Sequence, residues 1–210
     1  MPLGFRFAAG TAGIKASGSP DMAFAEAEST PPSATAARGG SPARTGATAA
    51  AMFTTNRVTA APLKVGKKHL AKSGGRVRAV VVNSGNANCA TGAEGIRAAE
   101  RVCRAVADEI GCKVEEVFPA STGVIGVALP VDKLVRAIPA MVQARGNDGD
   151  SATRFARAIM TTDTRMKTAS VRVRIGQRDV TLLGVAKGAG MIHPRLATML
   201  VYLFTDAEAS

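Results

Sequence analysis

The chain is poor in aromatic residues and in the residue types that ligate metals. Its 210 residues include no Trp, one Tyr and seven Phe, so Ala, Val, Leu, Ile and Met must fill the interior. The three cysteines, Cys89, Cys103 and Cys112, are odd in number and form no C-x-x-C pair, which argues against both a disulfide framework and a zinc site. The two histidines, His69 and His193, lie far apart, and no Ser-His-Asp or Cys-His constellation is legible around them. No apolar run approaches the roughly 18–20 residues that span a bilayer. Residues 1–18 lack the apolar centre of a secretory signal, so a soluble, cytoplasmic protein with no membrane partner is expected. The net charge is +11, but the basic residues are scattered, without aromatic interleaving and without helix-turn-helix or zinc-finger spacing. That charge is read as belonging to an Arg-rich enzyme, or to a piece whose missing part is acidic, rather than to a nucleic-acid binder.

What is present is an ordinary apolar fraction, 46%, in a length that suits one domain or one and a half. Residues 76–82, apolar at Val77 and from Ala79 to Val82, predict a buried strand that leads into the small-polar cluster Asn83-Ser84-Gly85-Asn86-Ala87-Asn88. A helix fits residues 93–110, with Ile96, Ala99, Val102, Cys103, Val106 and Ile110 on one face and Gly111 at the C-terminal cap. A short strand is expected at 114–118, ending at Pro119, and a helix at 131–144, bent or broken near Pro139. Ser151 is expected to cap a short helix running to Met160. Residues 168–175 and 180–185 alternate across Gly176-Gln177 as a β-hairpin, and 199–204 reads as a last strand. The stretch 27–50, rich in Ala, Ser, Thr, Pro and Gly, reads mostly as a flexible surface loop. The mixture is α/β or α+β.

Four small-polar loops follow apolar segments, at 83–92, 121–126, 161–164 and 187–190, and active sites gather on such loops. Thr122-Gly123 is either an oxyanion hole, aiming a hydroxyl and an N–H at one point, or a plain turn. Thr161-Thr162-Asp163-Thr164 either binds a polar substrate through its hydroxyls or is a turn held by local hydrogen bonds. Lys187 is either a point charge for a substrate carboxylate or a solvated lysine at a strand end. Lys187-Gly188-Ala189-Gly190 lacks the order of a P-loop. It opens a segment that closes on Ala197-Thr198-Met199-Leu200. A threonine placed there is either an ordinary strand-start residue or a nucleophile that cuts its own chain and then uses its freed α-amine as base. Acidic residues are sparse near these loops, so no paired-carboxylate chemistry is expected.

Six motifs in order carry a family resemblance: Gly13-Ile14-Lys15; Phe53-Thr54-Thr55-Asn56-Arg57; Val81 through Asn88; Ser121-Thr122-Gly123-Val124-Ile125-Gly126; Ala158 through Thr164; and Lys187 through Leu200. The chain resembles the N-terminal half of the ornithine acetyltransferases, the bifunctional glutamate N-acetyltransferases of arginine biosynthesis. The resemblance implies self-cleavage between Ala197 and Thr198. Thr198 would then accept acetyl from N2-acetylornithine and pass it to glutamate in ping-pong order. It implies oxyanion roles for Thr122 and Gly123, and substrate-binding roles for Thr161, Lys187 and Thr198. It implies no metal and no organic cofactor, with acetyl-CoA a further acetyl donor in some members. It implies a heterotetramer of two α and two β chains. The implied fold has layered sheets packed between helices, like the N-terminal-nucleophile hydrolases and related aminopeptidases.

Residues 1–197 then correspond to the α-chain region, with 27–47 an insertion, and 198–210 to the start of the β-chain region. The fold would thus be incomplete, and the chain by itself inactive or aggregation-prone. Two other readings stay open at this level: a self-processing aminopeptidase or amidase using the same nucleophile, and an inactive or merely basic binding fragment.

Overall fold

The structure is a computed structural model that describes residues 1–28, 46–189 and 199–207. The predicted 27–47 insertion lies mostly outside these residues. Its described flanks are the end of a strand at Ala27 and a two-residue strand at Ala47–Thr48.

At the centre is a four-stranded sheet of β1 (Phe5–Gly10), β2 (Met22–Ala27), β5 (Ala79–Asn86) and β6 (Val117–Val124), in that spatial order. β1, β2 and β5 pair antiparallel, and β6 joins β5 in parallel. The parallel step needs a crossover, supplied by α2 (Gly92–Ile110). Successive side chains point to opposite faces, and both faces are apolar. Ala8, Met22, Phe24, Val81 and Val117 enter one core; Phe7, Ala23, Ala25, Val82 and Ala120 enter the other.

The first core is closed by helices. α1 (Ala61–Lys72) contributes Val65, α2 contributes Val102, Cys103 and Val106, and α3 (Val131–Gln143) contributes Leu134, Ile138 and Met141. α2 ends as expected at Gly111, whose φ of 66° is the left-handed conformation that suits glycine. Burial pushes the Cys103 thiol well above its usual range, as befits a small core residue.

The second core is closed by α4 (Gly149–Ala158) and a three-stranded antiparallel sheet of β7 (Lys167–Ile175), β8 (Arg178–Lys187) and β9 (Leu200–Thr205). Phe155 of α4 sits among Phe7, Tyr202 and Phe204 in edge-to-face contacts with ring centroids 5.5–5.9 Å apart. The remaining strands, β3 (Ala47–Thr48) and β4 (Arg76–Val77), make a small separate pair. The result is the layered α/β architecture expected from the sequence.

Four local expectations change. The strand predicted at 76–82 divides at Arg78 into β4 and β5, which belong to different sheets, and β5 runs on through the polar cluster to Asn86. Residues 114–116 form a 3-10 turn, and the strand after it continues through Pro119 to Val124; β6 is an edge strand of its sheet, where a missing N–H is tolerated. α3 passes Pro139 as one continuous helix, anchored by buried Leu134 and Ile138 on one side of it and Met141 and Val142 on the other. The cap of α4 is Asp148, whose Oδ1 accepts from the Ser151 N–H at 2.7 Å, while Ser151 lies inside the first turn.

Candidate functional site

β5 and β6 run in register until Gly85 meets Gly123, where the pairing becomes irregular. Gly123 has φ of 136°, and a Cβ there would lie 2.3 Å from the Gly85 carbonyl carbon. Glycine is therefore the residue that lets the two backbones approach. Thr122-Gly123 is the end of a strand, not the tight turn weighed from sequence, and the Thr122 side chain is buried.

The asparagine-rich motif builds the floor beneath this point. Asn83 Nδ2 donates to Asn86 O at 2.8 Å, and Ser121 Oγ donates to Asn83 Oδ1 at 2.6 Å. Asn86 Nδ2 donates to the carbonyls of Val127 and Ala128 at 3.1 and 3.2 Å, pinning the segment that leaves β6. Asn88 accepts from Thr91 Oγ1 at 2.8 Å and donates to Gly95 O at 2.9 Å, fixing the entry to α2. Buried amides cost free energy unless paired, and these are paired with hydroxyls and with the backbone. The motif acts as a scaffold for Ser121, Thr122 and Gly123.

Lys187, the last residue of β8, reaches into the same place and is 5% exposed. Its ammonium donates to Thr122 Oγ1 at 2.9 Å and to Thr161 Oγ1 at 2.8 Å. This sets it apart from a solvated lysine. Burial lowers its pKa from 10.5; the nearby Asp163 carboxylate opposes that fall and Lys167 adds to it. A hydroxyl that accepts from an ammonium keeps its own O–H free to donate elsewhere, with its polarity increased. Thr122 and Thr161 are in that state.

A second lysine stands near. Asp21, fully buried, accepts the N–H groups of Ala12, Ile14 and Lys15 at 2.6, 2.5 and 3.1 Å, folding the Gly13-Ile14-Lys15 motif over β5. Lys15 Nζ then donates to Pro20 O at 2.8 Å and Ala158 O at 3.3 Å, and Ser84 Oγ donates to the same Ala158 carbonyl at 2.5 Å. Burial lowers the Lys15 pKa; Asp21 opposes this and Lys187 adds to it. The C-terminal end of α4, which leads into Thr161, is thus tied to β5.

Of the residues singled out from sequence, the structure brings together Thr122, Gly123, Thr161 and Lys187. Ala197 and Thr198 lie outside the described residues, though Leu200, two positions after Thr198 in sequence, pairs with Lys187 across β8 and β9. Sequence reasoning missed Asp163, whose Oδ1 accepts from the Gly188 N–H at 2.8 Å and from Lys167 Nζ at 2.6 Å. A single aspartate inside a Thr-rich tetrapeptide gives no paired-carboxylate signal. Among the described residues no three His, Cys, Asp or Glu side chains cluster as a metal site, and no helix is long and apolar enough to cross a membrane.

The chain is 51% identical over 166 residues to the arginine biosynthesis bifunctional protein ArgJ of Neisseria gonorrhoeae, covering 79% of this chain and 39% of that protein. It is 47% identical over 163 residues to the protein of the same name from Thermotoga neapolitana, covering 78% and 40%. The chain therefore spans about two-fifths of the length of the curated relatives it matches. Among solved structures it is similar to the arginine biosynthesis bifunctional protein ArgJ of Bacillus halodurans, with a TM-score of 0.80 and 33% identity over 95% of this chain and 92% of that one. It is also similar to the ornithine acetyltransferase of Mycobacterium tuberculosis complexed with ornithine, with a TM-score of 0.73 and 33% identity over 95% and 94%. The ArgJ family model matches residues 6–210, and the chain belongs to the ArgJ family.

Proposed function

We propose that this chain carries the oxyanion and substrate-carboxylate side of an acetyltransferase site that moves acetyl from N2-acetylornithine to glutamate through Thr198. The observation that carries the reading is the Thr122–Lys187–Thr161 cluster: two hydroxyls joined by one buried ammonium, beside a glycine that nothing larger can replace. The pairing of Lys187 with Leu200 supports it, because it sets β9, the strand that follows Thr198 in sequence, against the strand that carries Lys187.

In maturation, Thr198 Oγ attacks the Ala197 carbonyl carbon and the peptide C–N bond breaks. The Ala197 acyl group is left as an ester on Oγ, with a free Thr198 α-amine. Water cleaves the ester, leaving a carboxylate on Ala197 and a free hydroxyl on Thr198. In turnover, that hydroxyl attacks the acetyl carbonyl of N2-acetylornithine while the Thr198 α-amine takes its proton. The oxygen of the tetrahedral intermediate gathers negative charge, which the Thr122 hydroxyl and the Gly123 N–H stabilise. The α-amine returns the proton to the departing ornithine amine, and acetyl stays on Thr198. The glutamate α-amine then attacks that ester and leaves as N-acetylglutamate.

Three lysines, Lys15, Lys167 and Lys187, face two aspartates, Asp21 and Asp163, around the cluster. The surplus positive charge suits the carboxylate that both substrates carry, with Lys187 and Thr161 as its holders. The route uses no metal or organic cofactor, and acetyl-CoA is a second donor to the same hydroxyl. The relatives' further length would include the β portion, a second half of similar length, assembled as two α and two β chains in the cytoplasm. It has a surface to cover: Val171, Val173, Ile175, Val201 and Leu203 share the outer face of the β7–β9 sheet, each more than 40% exposed. The test is acetyl transfer to glutamate by the full-length protein, run beside peptide and amide hydrolysis. Transfer that is lost in Thr198→Ala and has a strongly raised KM in Lys187→Met supports the reading; hydrolysis without transfer would replace it by the aminopeptidase one.

A further inference from the structure

Lys187 is a buried cation whose hydrogen bonds go to two neutral hydroxyls, and hydroxyls do not balance its charge. Charged groups face it from three elements. Lys167 of β7 and Lys15 of the loop after β1 are cations, and Asp21 is engaged by the backbone of that same loop. The remaining one is Asp163, in the loop between α4 and β7. Its side chain is 1% exposed, and its Oδ2 lies 4.0 Å from Lys187 Nζ with no hydrogen-bond partner among the described residues. Its other oxygen holds the Gly188 N–H at 2.8 Å, the residue next to Lys187 and the first of the glycine-rich segment that leads to Thr198.

We propose that Asp163 is a positioning residue of the acetyl-transfer site, anchoring the Lys187 ammonium between Thr122 and Thr161 and tying it to the backbone at Gly188. One carboxylate thereby fixes both the side chain and the following backbone of the residue that meets the substrate. An ammonium has three donors, and two are spent on the threonines; Asp163 Oδ2 sits at a distance that balances the charge without capturing the third. The third hydrogen stays available for a substrate carboxylate. A full contact ion pair at about 2.8 Å would compete with that carboxylate more strongly. This inference rests on the function proposed above.

Asp163→Asn tests it, because the amide keeps an oxygen for Gly188 N–H and loses the charge. In full-length protein with isotope-labelled lysine, the Lys187 Nζ titration should move to lower pH by about one unit, since burial would then act with less opposition. The alkaline limb of kcat/KM should move with it, through KM more than kcat. A structural role only would lower the amount of folded protein and leave both midpoints in place, and that result overturns the proposal. Lys167→Met is the second variant, on a side chain 46% exposed. It frees Asp163 of its competing partner and should move the Lys187 titration to higher pH; no movement, or movement downward, also overturns the proposal. If wild-type protein transfers no acetyl, the function proposed above fails, while the Lys187 titration still decides the role of Asp163.

Discussion

The two principal sheets of this chain are built from similar residues but end differently. In the β1–β2–β5–β6 sheet both faces are covered, by α1, α2 and α3 on one side and by α4 with the second sheet on the other, and β2 has all six residues buried. In the β7–β8–β9 sheet one face is covered at β8 and β9 and the other is bare, while all nine residues of β7 are exposed. Leu183, Val185 and Phe204 point inward and are buried, while Val171, Val173, Ile175, Val201 and Leu203 point outward and are exposed. β8 is apolar on both faces all the same, as in a strand meant to be covered twice. The difference separates a sheet whose two apolar faces this chain buries from one with an apolar face left exposed. Lys187 ends the strand that joins the two situations: its side chain lies among the buried groups of the site, and its strand carries the bare face.

The sharpest way to break the comparison is to remove one large side chain from each environment. Phe155→Ala, at the junction of α4 with both sheets, should cost about 3–5 kcal/mol, read as a shift in urea unfolding. Leu203→Ala on the bare face of the same second sheet should change stability by about 0.5 kcal/mol or less in this chain. Equal costs would mean that the bare face is already packed. Gly123→Ala comes next. The added methyl meets the Gly85 backbone, so the two strands must part; a loss of about 1–3 kcal/mol is expected, and in the full-length protein a fall in turnover of about 10²-fold or more.

A smaller effect separates the faces by charge. Leu203→Lys should leave the unfolding midpoint of this chain nearly unchanged, reduce binding of an apolar fluorescent dye, and weaken association with the remaining portion of the protein. Unchanged dye binding and association would show that this face is not the docking surface. The smallest effect is a pH dependence. Burial raises the Asp163 carboxyl, but hydrogen bonds from Lys167 and from the Gly188 and Thr161 N–H groups outweigh that and hold it below 3.8. A lowered carboxylate pKa contributes stability that is present above about pH 4 and drains away as pH falls through the folded value. Asp163→Asn should therefore flatten part of the acid limb of the stability curve, while Leu203→Lys leaves that limb as it is.

Much of this architecture is legible in the residue pattern, for identifiable reasons. Val80, Val81 and Val82 mark β5 because consecutive apolar residues serve two buried faces, and α2 shows through its stripe from Ala99 to Val106. Gly176-Gln177 marks the turn between β7 and β8. β1 and β2 escape detection because Phe7-Ala8-Ala9 and Ala23-Phe24-Ala25 are alanine-rich and apolar on both faces, so no period-2 alternation appears. α1 escapes because Gly66 lies inside it and four lysines dilute its apolar stripe. At the site, Thr122, Gly123, Thr161 and Lys187 were legible through family motifs. Spacing by itself leaves both a turn or surface reading and a functional one open for them. Their mutual contacts join residues up to 65 positions apart, which no local pattern encodes. Asp163 was hidden for the same reason: its partner Lys187 comes 24 positions later, on another strand.

If the Thr122–Lys187–Thr161 cluster serves an acyl group carried by Thr198, that group can be caught on the chain. The direct measurement is a mass spectrum of the full-length protein mixed with N2-acetylornithine and quenched before glutamate is added. The expected result is a peptide beginning at Thr198, heavier by one acetyl group, that returns to the unmodified mass once glutamate is supplied. An acetyl group found on another residue, or full turnover to N-acetylglutamate with Thr198 replaced by alanine, would contradict it.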